Sequence, residues 1–258
     1  MEKIKIVDID EENVHDYGLC GYKSPKRPGF PEKADWMKQR LKDDLVIKTL
    51  VTEDDGSQGM IEYLPGEKCW RPVQADNYLF IHCLFVGFKK IYQNQGFASR
   101  LIEACLHDAE KQHKSGVCVV TRKGSFMVDK PIFIKHQFEV VDKTEPDFEL
   151  LVRKFDPTAP NPTFKDNRAS ISQKFKKGLT IIRSHQCPYT VKNVNEICET
   201  AKKSFGLTPE VITIDNYKDA QNNYPCAVGN FTIVYNGEIL TAHPISKGRF
   251  NNIMKKLS

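Results

Sequence analysis

The chain has 258 residues, enough for two domains of ordinary size, and either half is long enough to bury a core. Hydrophobic residues make up 40% and charged residues 28%, a folded globular balance, and no run approaches the 18 apolar residues of a membrane span. The net charge is +5, and residues 155–258 carry 14 Lys+Arg against 8 Asp+Glu. That excess suits anionic ligands. It forms no dense basic stripe interleaved with aromatics, so nucleic acid is not an expected partner. The opening MEKIKIVDIDEENVHDYG has no apolar signal-peptide region, which makes a cytoplasmic location the expectation. None of the eight cysteines forms a C-x-x-C pair, which argues against a zinc ribbon and a dithiol redox motif. Cys83, Cys105, Cys118 and Cys198 sit in apolar runs, where buried free thiols are expected.

In chain order, residues 3–8 read as a first strand, and the Gly- and Pro-rich stretch after it as loop with broken helical turns. Residues Ala34–Leu45 place Trp36, Met37, Leu41 and Leu45 at helical spacing. Leu45–Glu53 and Gly59–Tyr63 read as a hairpin around Asp54-Asp55-Gly56-Ser57. Cys69–Asn77 leads into the central stretch, Tyr78–Lys111. There an apolar strand, YLFIHCLFV, precedes a loop ending Gln93-Asn94-Gln95-Gly96-Phe97-Ala98, and a helix starts directly behind it. Ala98, Leu101, Ile102, Cys105 and Ala109 mark the apolar face of that helix. The bare N–H groups of a helix start, with the macrodipole behind them, suit a phosphate. Gly96 permits a positive φ and close approach of the ligand, and the small Ala98 keeps the backbone accessible. The same spacing also fits an ordinary strand–turn–helix connection in which Gly96 serves only the turn.

Gly116–Thr121 then reads as a buried strand, residues 125–136 as a short helix starting near Pro131, and Phe138–Val141 and Phe148–Val152 as two more strands. Residues 156–178 hold three prolines and little apolar periodicity, and read as a domain linker. The remainder starts afresh with strand Leu179–Arg183 and a helix marked by Val191, Val194, Cys198, Ala201 and Phe205. Glu210–Asp215 reads as a strand and Asp219–Asn223 as a polar connection. Phe231–Tyr235 and Glu238–Ala242 flank the Asn236-Gly237 hairpin signal, and a last helix carries Phe250, Ile253, Met254 and Leu257. This βαβ…ββα order is that of a small domain of its own.

Gln93, Gly96 and Ala98 match the Arg/Gln-x-x-Gly-x-Gly/Ala loop of the GNAT acetyltransferases, and the order of elements around them fits as well. Residues 1–155 thus resemble that family, which implies an α/β (α+β) fold with a central mixed, mainly antiparallel sheet. The resemblance implies acetyl-CoA as co-substrate, its pyrophosphate cradled by Gln93, Asn94, Gln95, Gly96, Phe97, Ala98 and Ser99. It also implies a thioester presented along Leu84, Phe85 and Val86, and a small-molecule or peptide amine as acceptor. The segments IEYLPGE, RPVQADNYLFIHCLFV, KPIFIKHQFEVVD and PDFELLVRKF narrow the likeness to GNAT proteins with a C-terminal YoaP-like domain. Residues 179–258 resemble thioredoxin-like domains, with Cys187-Pro188-Tyr189-Thr190 at the active-site position. Thr190 replaces the second cysteine, and Gly229 and Asn230 stand where such domains have a cis-proline.

Acyl transfer needs the amine deprotonated, the oxyanion stabilised and the thiolate protonated. His82 on the central strand and Glu62 on the strand before it are the two base candidates; each has a packing or salt-bridge alternative. Tyr63 and Trp70 are candidates for an acceptor pocket or for packing, and Cys69 and Cys83 for thioester chemistry or for inert burial. The tyrosine that protonates the leaving thiolate in many GNAT enzymes corresponds to Phe133 here, with Ile134 beside it. That leaves the general acid unassigned. Cys187 at a helix start is a candidate reactive monothiol, aided by His185 or paired with Cys226, or else a scaffold cysteine. The reading is an N-acetyltransferase acting by direct attack in a ternary complex. Its alternatives are a CoA-binding regulatory or thiol-interaction protein without turnover, and an enzyme switched by Cys187.

Overall fold

The computed structural model describes residues 4–17, 19–22, 24–87, 89–124, 126–223 and 229–257. They divide into two units, Met1–Cys69 with Val73–Phe164 and Trp70–Pro72 with Lys165–Ser258. In the first unit, chain order runs β1 (Ile4–Asp8), α1 (Val14–Tyr17), α2 (Phe30–Leu41), β2 (Val46–Thr52), β3 (Gly56–Pro65), β4 (Val73–Gln74) and β5 (Tyr78–Val86). It continues with α3 (Phe97–Lys111), β6 (Gly116–Thr121), α4 (Pro131–Lys135), β7 (Glu139–Thr144), β8 (Phe148–Lys154) and β9 (Thr163–Phe164). Seven strands form one sheet in the order β1-β2-β3-β5-β6-β8-β7. Every pairing in it is antiparallel except β5 with β6, which are parallel and joined by the α3 crossover. The expected mixed, mainly antiparallel sheet is therefore present. No helix among the described residues is long and apolar enough to cross a membrane.

Alternation sorts side chains between the two faces of the sheet. Ile61 and Tyr63 of β3, Leu79, Ile81 and Leu84 of β5, and Val117 and Val119 of β6 pack with Leu101, Ile102 and Cys105 of α3. Each aliphatic side chain buried in this way contributes about 1.5–3 kcal/mol. Gly59 lets the helix lie close, because a Cβ there would stand 3.3 Å from Leu101 Cδ1 and 3.0 Å from the Phe85 carbonyl oxygen. Polar ties close the edge of this core. Lys48 Nζ lies 2.6 Å from Asp8 and 3.2 Å from Asp108, and the Tyr63 hydroxyl donates to Asp108 on α3.

Several expectations shift. Helix α2 begins at Phe30 rather than Ala34 and ends at Leu41, because a Gly-Phe-Pro start read as loop is its first turn. The Glu32 carboxylate accepts from the Gly29 N–H at 2.9 Å, which secures that turn. Residues 156–178 carry structure as well: β9 pairs antiparallel with β4, and α5 spans Arg168–Lys174. The short helix expected within residues 125–136 does start at Pro131, as α4; residue 125 itself lies outside the described residues.

The second unit continues with β10 (Leu179–Arg183), α6 (Tyr189–Phe205), β11 (Glu210–Thr213), α7 (Tyr217–Asn223), β12 (Phe231–Tyr235), β13 (Glu238–Thr241) and α8 (Lys247–Met254). Its sheet order is β11-β10-β12-β13, parallel only between β10 and β11. Ile181, Val194, Ile197, Phe231, Ile233 and Phe250 form its core. The expected polar connection at 219–223 is helical. Asn216 accepts from the Asp219 N–H at 2.9 Å, an N-terminal cap that compensates for weak apolar periodicity.

Leu101 is fully buried at the centre of the α3 face. Leu101→Ala is expected to lower the unfolding free energy by about 2–5 kcal/mol, read from urea denaturation of the whole chain.

Candidate active site

The site is organised by a change of partners along β5. Its pairing with β6 ends at Ile81↔Val119, yet β5 runs on to Val86 and stays paired with β3 throughout. Beyond Ile81 the register between the two parallel strands ends. It ends at a bulge. Tyr63 pairs with Ile81 and Glu62 with Cys83, so His82 is the extra residue between them.

The bulge aims His82 at a buried charge. Its Nδ1 lies 3.5 Å from Glu62 Oε1, and both side chains are essentially without solvent. The other Glu62 oxygen accepts from Lys33 of α2, which is equally buried and stands 4.2 Å over the Trp36 ring. Burial alone would raise the Glu62 pKa, but Lys33 and His82 outweigh it and hold the carboxyl down to about 2. For Lys33, burial acts to lower the pKa, and the Glu62 carboxylate overcomes it, so the ammonium titrates above the ordinary 10.5. A hydrogen bond with Cys20 and burial push the Cys83 thiol well up, which leaves it an inert neighbour rather than a thiolate.

The phosphate-type loop is held from below. Tyr92 donates to Asp55 Oδ2 at 2.6 Å, and Lys89 Nζ lies 2.5 Å from Asp55 Oδ1, tying the loop to the β2–β3 turn. Tyr92 also stacks on Phe97 with ring centroids 5.8 Å apart. Asn94 and Gly96 have φ of 59° and 77°, and Gly96 is the N-cap of α3, so no side chain caps the helix. A Cβ on Gly96 would meet nothing within 4 Å, so the space over the helix start is open. The first intrahelical bond runs from the Arg100 N–H to the Gly96 carbonyl, which leaves the N–H groups of Phe97, Ala98 and Ser99 free of helical partners. Gln93, Asn94 and Gln95 are exposed, whereas the Phe97 side chain belongs to the core and only its backbone is available.

Other expected residues fall elsewhere. Tyr63 lies on the α3 face, opposite Glu62, with its hydroxyl on Asp108, so it does not join an acceptor pocket with His82. Trp70 is buried and belongs to the second unit. The Cys69 thiol donates to the Val73 carbonyl oxygen at 3.8 Å. Phe133 is fully buried against Phe138 in the α3-face core, and Ile134 is exposed. In the second unit Cys187 is half-buried in the turn before α6, and its carbonyl accepts from the Thr190 hydroxyl at 2.8 Å. Asn230 donates to Gln186 at 2.9 Å. Cys226 lies outside the described residues. Sequence reasoning missed Lys33 because the reading of α2 began one residue after it; the Pro31-Glu32 start was the available signal. It also missed Asp55, read as a turn residue only.

A profile of the YoaP-like family matches residues 210–252. Over 256 residues the chain is 29% identical to the "Uncharacterized N-acetyltransferase YoaP" of Bacillus subtilis strain 168, covering 98% of this chain and 99% of that protein. Among solved structures, it is similar to the PaiA N-acetyltransferase of Thermoplasma acidophilum in complex with coenzyme A. The identity is 16%, over 59% of this chain and 99% of that one, at a TM-score of 0.43. The GNAT family N-acetyltransferase YhbS of Escherichia coli in complex with CoA gives 12% identity, over 63% and 89%, at a TM-score of 0.40.

Glu62 makes stability depend on pH in a defined window. Its folded pKa is depressed, so its contribution is complete above about 4.5 and is lost as pH falls toward 2. Lys33 is the mirror case, complete below 10.5 and lost only above its raised folded value. Glu62→Gln leaves Lys33 buried without its counter-charge and is expected to destabilise the protein at pH 7 by about 3–5 kcal/mol. Urea denaturation from pH 7 to 2 should show the wild-type and variant stabilities converging as the pH falls.

Proposed function

We propose that the first unit is a GNAT-type N-acetyltransferase that uses acetyl-CoA and acetylates a small-molecule or peptide amine by direct attack, with both substrates bound at once. The observation that carries this reading is the course of β5: a strand that parts from its parallel neighbour, a histidine at the point of parting, and an uncapped helix start just beyond. The whole-chain likeness to a protein named as an N-acetyltransferase supports it.

The residues fit the co-substrate. The open space over Gly96 and the N–H groups of Phe97, Ala98 and Ser99 suit the pyrophosphate, flanked by Gln93, Asn94 and Gln95. Acetyl-CoA supplies an acetyl group already activated as a thioester. Beyond its last pairing with β6, β5 offers backbone groups at Leu84, Phe85 and Val86 to the pantetheine arm, and N–H groups there stabilise charge developing on the carbonyl oxygen. Glu62 faces His82 Nδ1, which fixes the tautomer that donates from Nδ1 and leaves Nε2 to take a proton from the amine. Glu62 itself is a poor base, being ionised down to a pH of about 2 and closed off from solvent. It orients His82.

The second unit, with its boundary in residues 156–178, is a thioredoxin-like module without dithiol chemistry. The β11-β10-β12-β13 order with a parallel β10–β11 pair supports this, and Thr190 occupies the second-cysteine position as a hydrogen-bond donor to the turn. Phe133, buried and without a hydroxyl, favours the alternative of a CoA-binding protein without turnover.

Incubation with acetyl-CoA and a panel of primary amines, with free thiol followed colorimetrically, tests the reading. Turnover is expected, and His82→Ala should reduce kcat by about 10²–10⁴-fold. CoA binding without release by any amine would establish the alternative. Gly96→Val is expected to weaken acetyl-CoA binding by about tenfold or more, measured by calorimetry. Unchanged affinity would remove the phosphate cradle from the α3 start.

A further inference from the structure

Lys33 carries its charge at a position closed off from the surface. It is fully buried, bonded to Glu62 and set over the Trp36 ring. Glu62 in turn faces His82 Nδ1 at 3.5 Å. One carboxylate thus joins a permanent cation to a histidine. The groups around this cluster come from four elements: Lys33 and Trp36 from α2, Glu62 from β3, Cys83 and the Phe80 ring from β5, and Cys20 from the segment after α1. Cys20 is held over that face by its N–H bond to the Met60 sulfur at 3.1 Å.

The charge count decides the protonation state. Lys33 and Glu62 cancel, so a neutral His82 leaves the buried cluster neutral. Adding a proton to His82 would leave a net positive charge away from solvent, which burial disfavours. Without Lys33 the balance inverts, because Glu62 and a protonated His82 would then cancel.

We propose that Lys33 is a positioning residue: through Glu62, its charge keeps His82 unprotonated and able to accept a proton from the acceptor amine. This rests on His82 being the base of the proposed transferase. A histidine charged at neutral pH has no lone pair for that proton, so the lysine sets the pH at which the site works.

The test reads His82 directly, in the protein without any ligand. Proton–nitrogen NMR of the histidine rings, with His82 assigned through His82→Gln, gives its titration midpoint. Lys33→Met is expected to raise that midpoint by about one unit or more, a factor of about ten in the protonated fraction ratio at a given pH. Lys33→Arg, which keeps the charge, should leave it near the wild-type value, and Lys33→Met/Glu62→Gln should bring it back toward wild type. Glu62→Gln alone should lower it, and it keeps the test open if Lys33→Met fails to fold. An unchanged or lowered midpoint in Lys33→Met, or an unchanged or raised one in Glu62→Gln, would overturn the proposal. With any amine that turns over, the acid limb of kcat/KM should move with the midpoint. Full activity in His82→Ala would sink the base assignment while leaving the NMR result to stand, so the two failures are distinguishable.

Discussion

Strand β5 has two edges with different fates. One is bonded to β3 along its length; the other is bonded to β6 only from Tyr78 to Ile81. A helix crossover must join two parallel strands, and α3 lies on the face where those strands are still together. The core needs the strands paired at one end, and the site needs them apart at the other. Both demands are met because β5 stays paired with β3 from Leu79 to Val86, and because Leu84 still packs against the α3 core beyond the last pairing with β6.

The opposite face of the same strands is not a plain apolar core. Lys33, Glu62 and His82 are placed there at full or near-full burial. Such a cluster is weak support for stability, since desolvation offsets much of the attraction between its members. It constrains geometry instead. Glu62 has one oxygen for α2 and one for β5, so a helix and a bulged strand are held to a common carboxylate. The loop below α3 follows the same logic at the surface, where Asp55 holds Lys89 and Tyr92 together.

Periodicity made most of this readable. Leu179–Arg183 and Phe231–Tyr235 lie where apolar runs and turn signals placed them, and the Gly96 turn adopts the positive φ its position required. Misreadings arose where local polar bonds replace an apolar stripe. Helix α7 rests on Asn216, and α2 starts on a Gly-Phe-Pro segment whose composition suggests a loop. His82 and Glu62 were legible as residue types on adjacent strands. Their partner was not, because a lysine in a sequence is presumed solvated until a carboxylate and an aromatic ring are seen to enclose it. The face occupied by Tyr63 was hidden for a related reason: one inserted residue in β5 settles which neighbours share a side.

That insertion separates core from site in a way substitution does not expose. Before the bulge, Leu79 and Ile81 face α3; after it, Leu84 does. The strand changes phase at His82. Remove that residue from the chain and Cys83 follows Ile81 directly: the alternation runs on unbroken, with Cys83 turned away from α3 and Leu84 still toward it. A lineage can exchange His82 for another side chain and keep its sheet. It can also delete the position and keep the facing of every core residue of the strand, so the packing of the core neither needs the inserted residue nor records its loss.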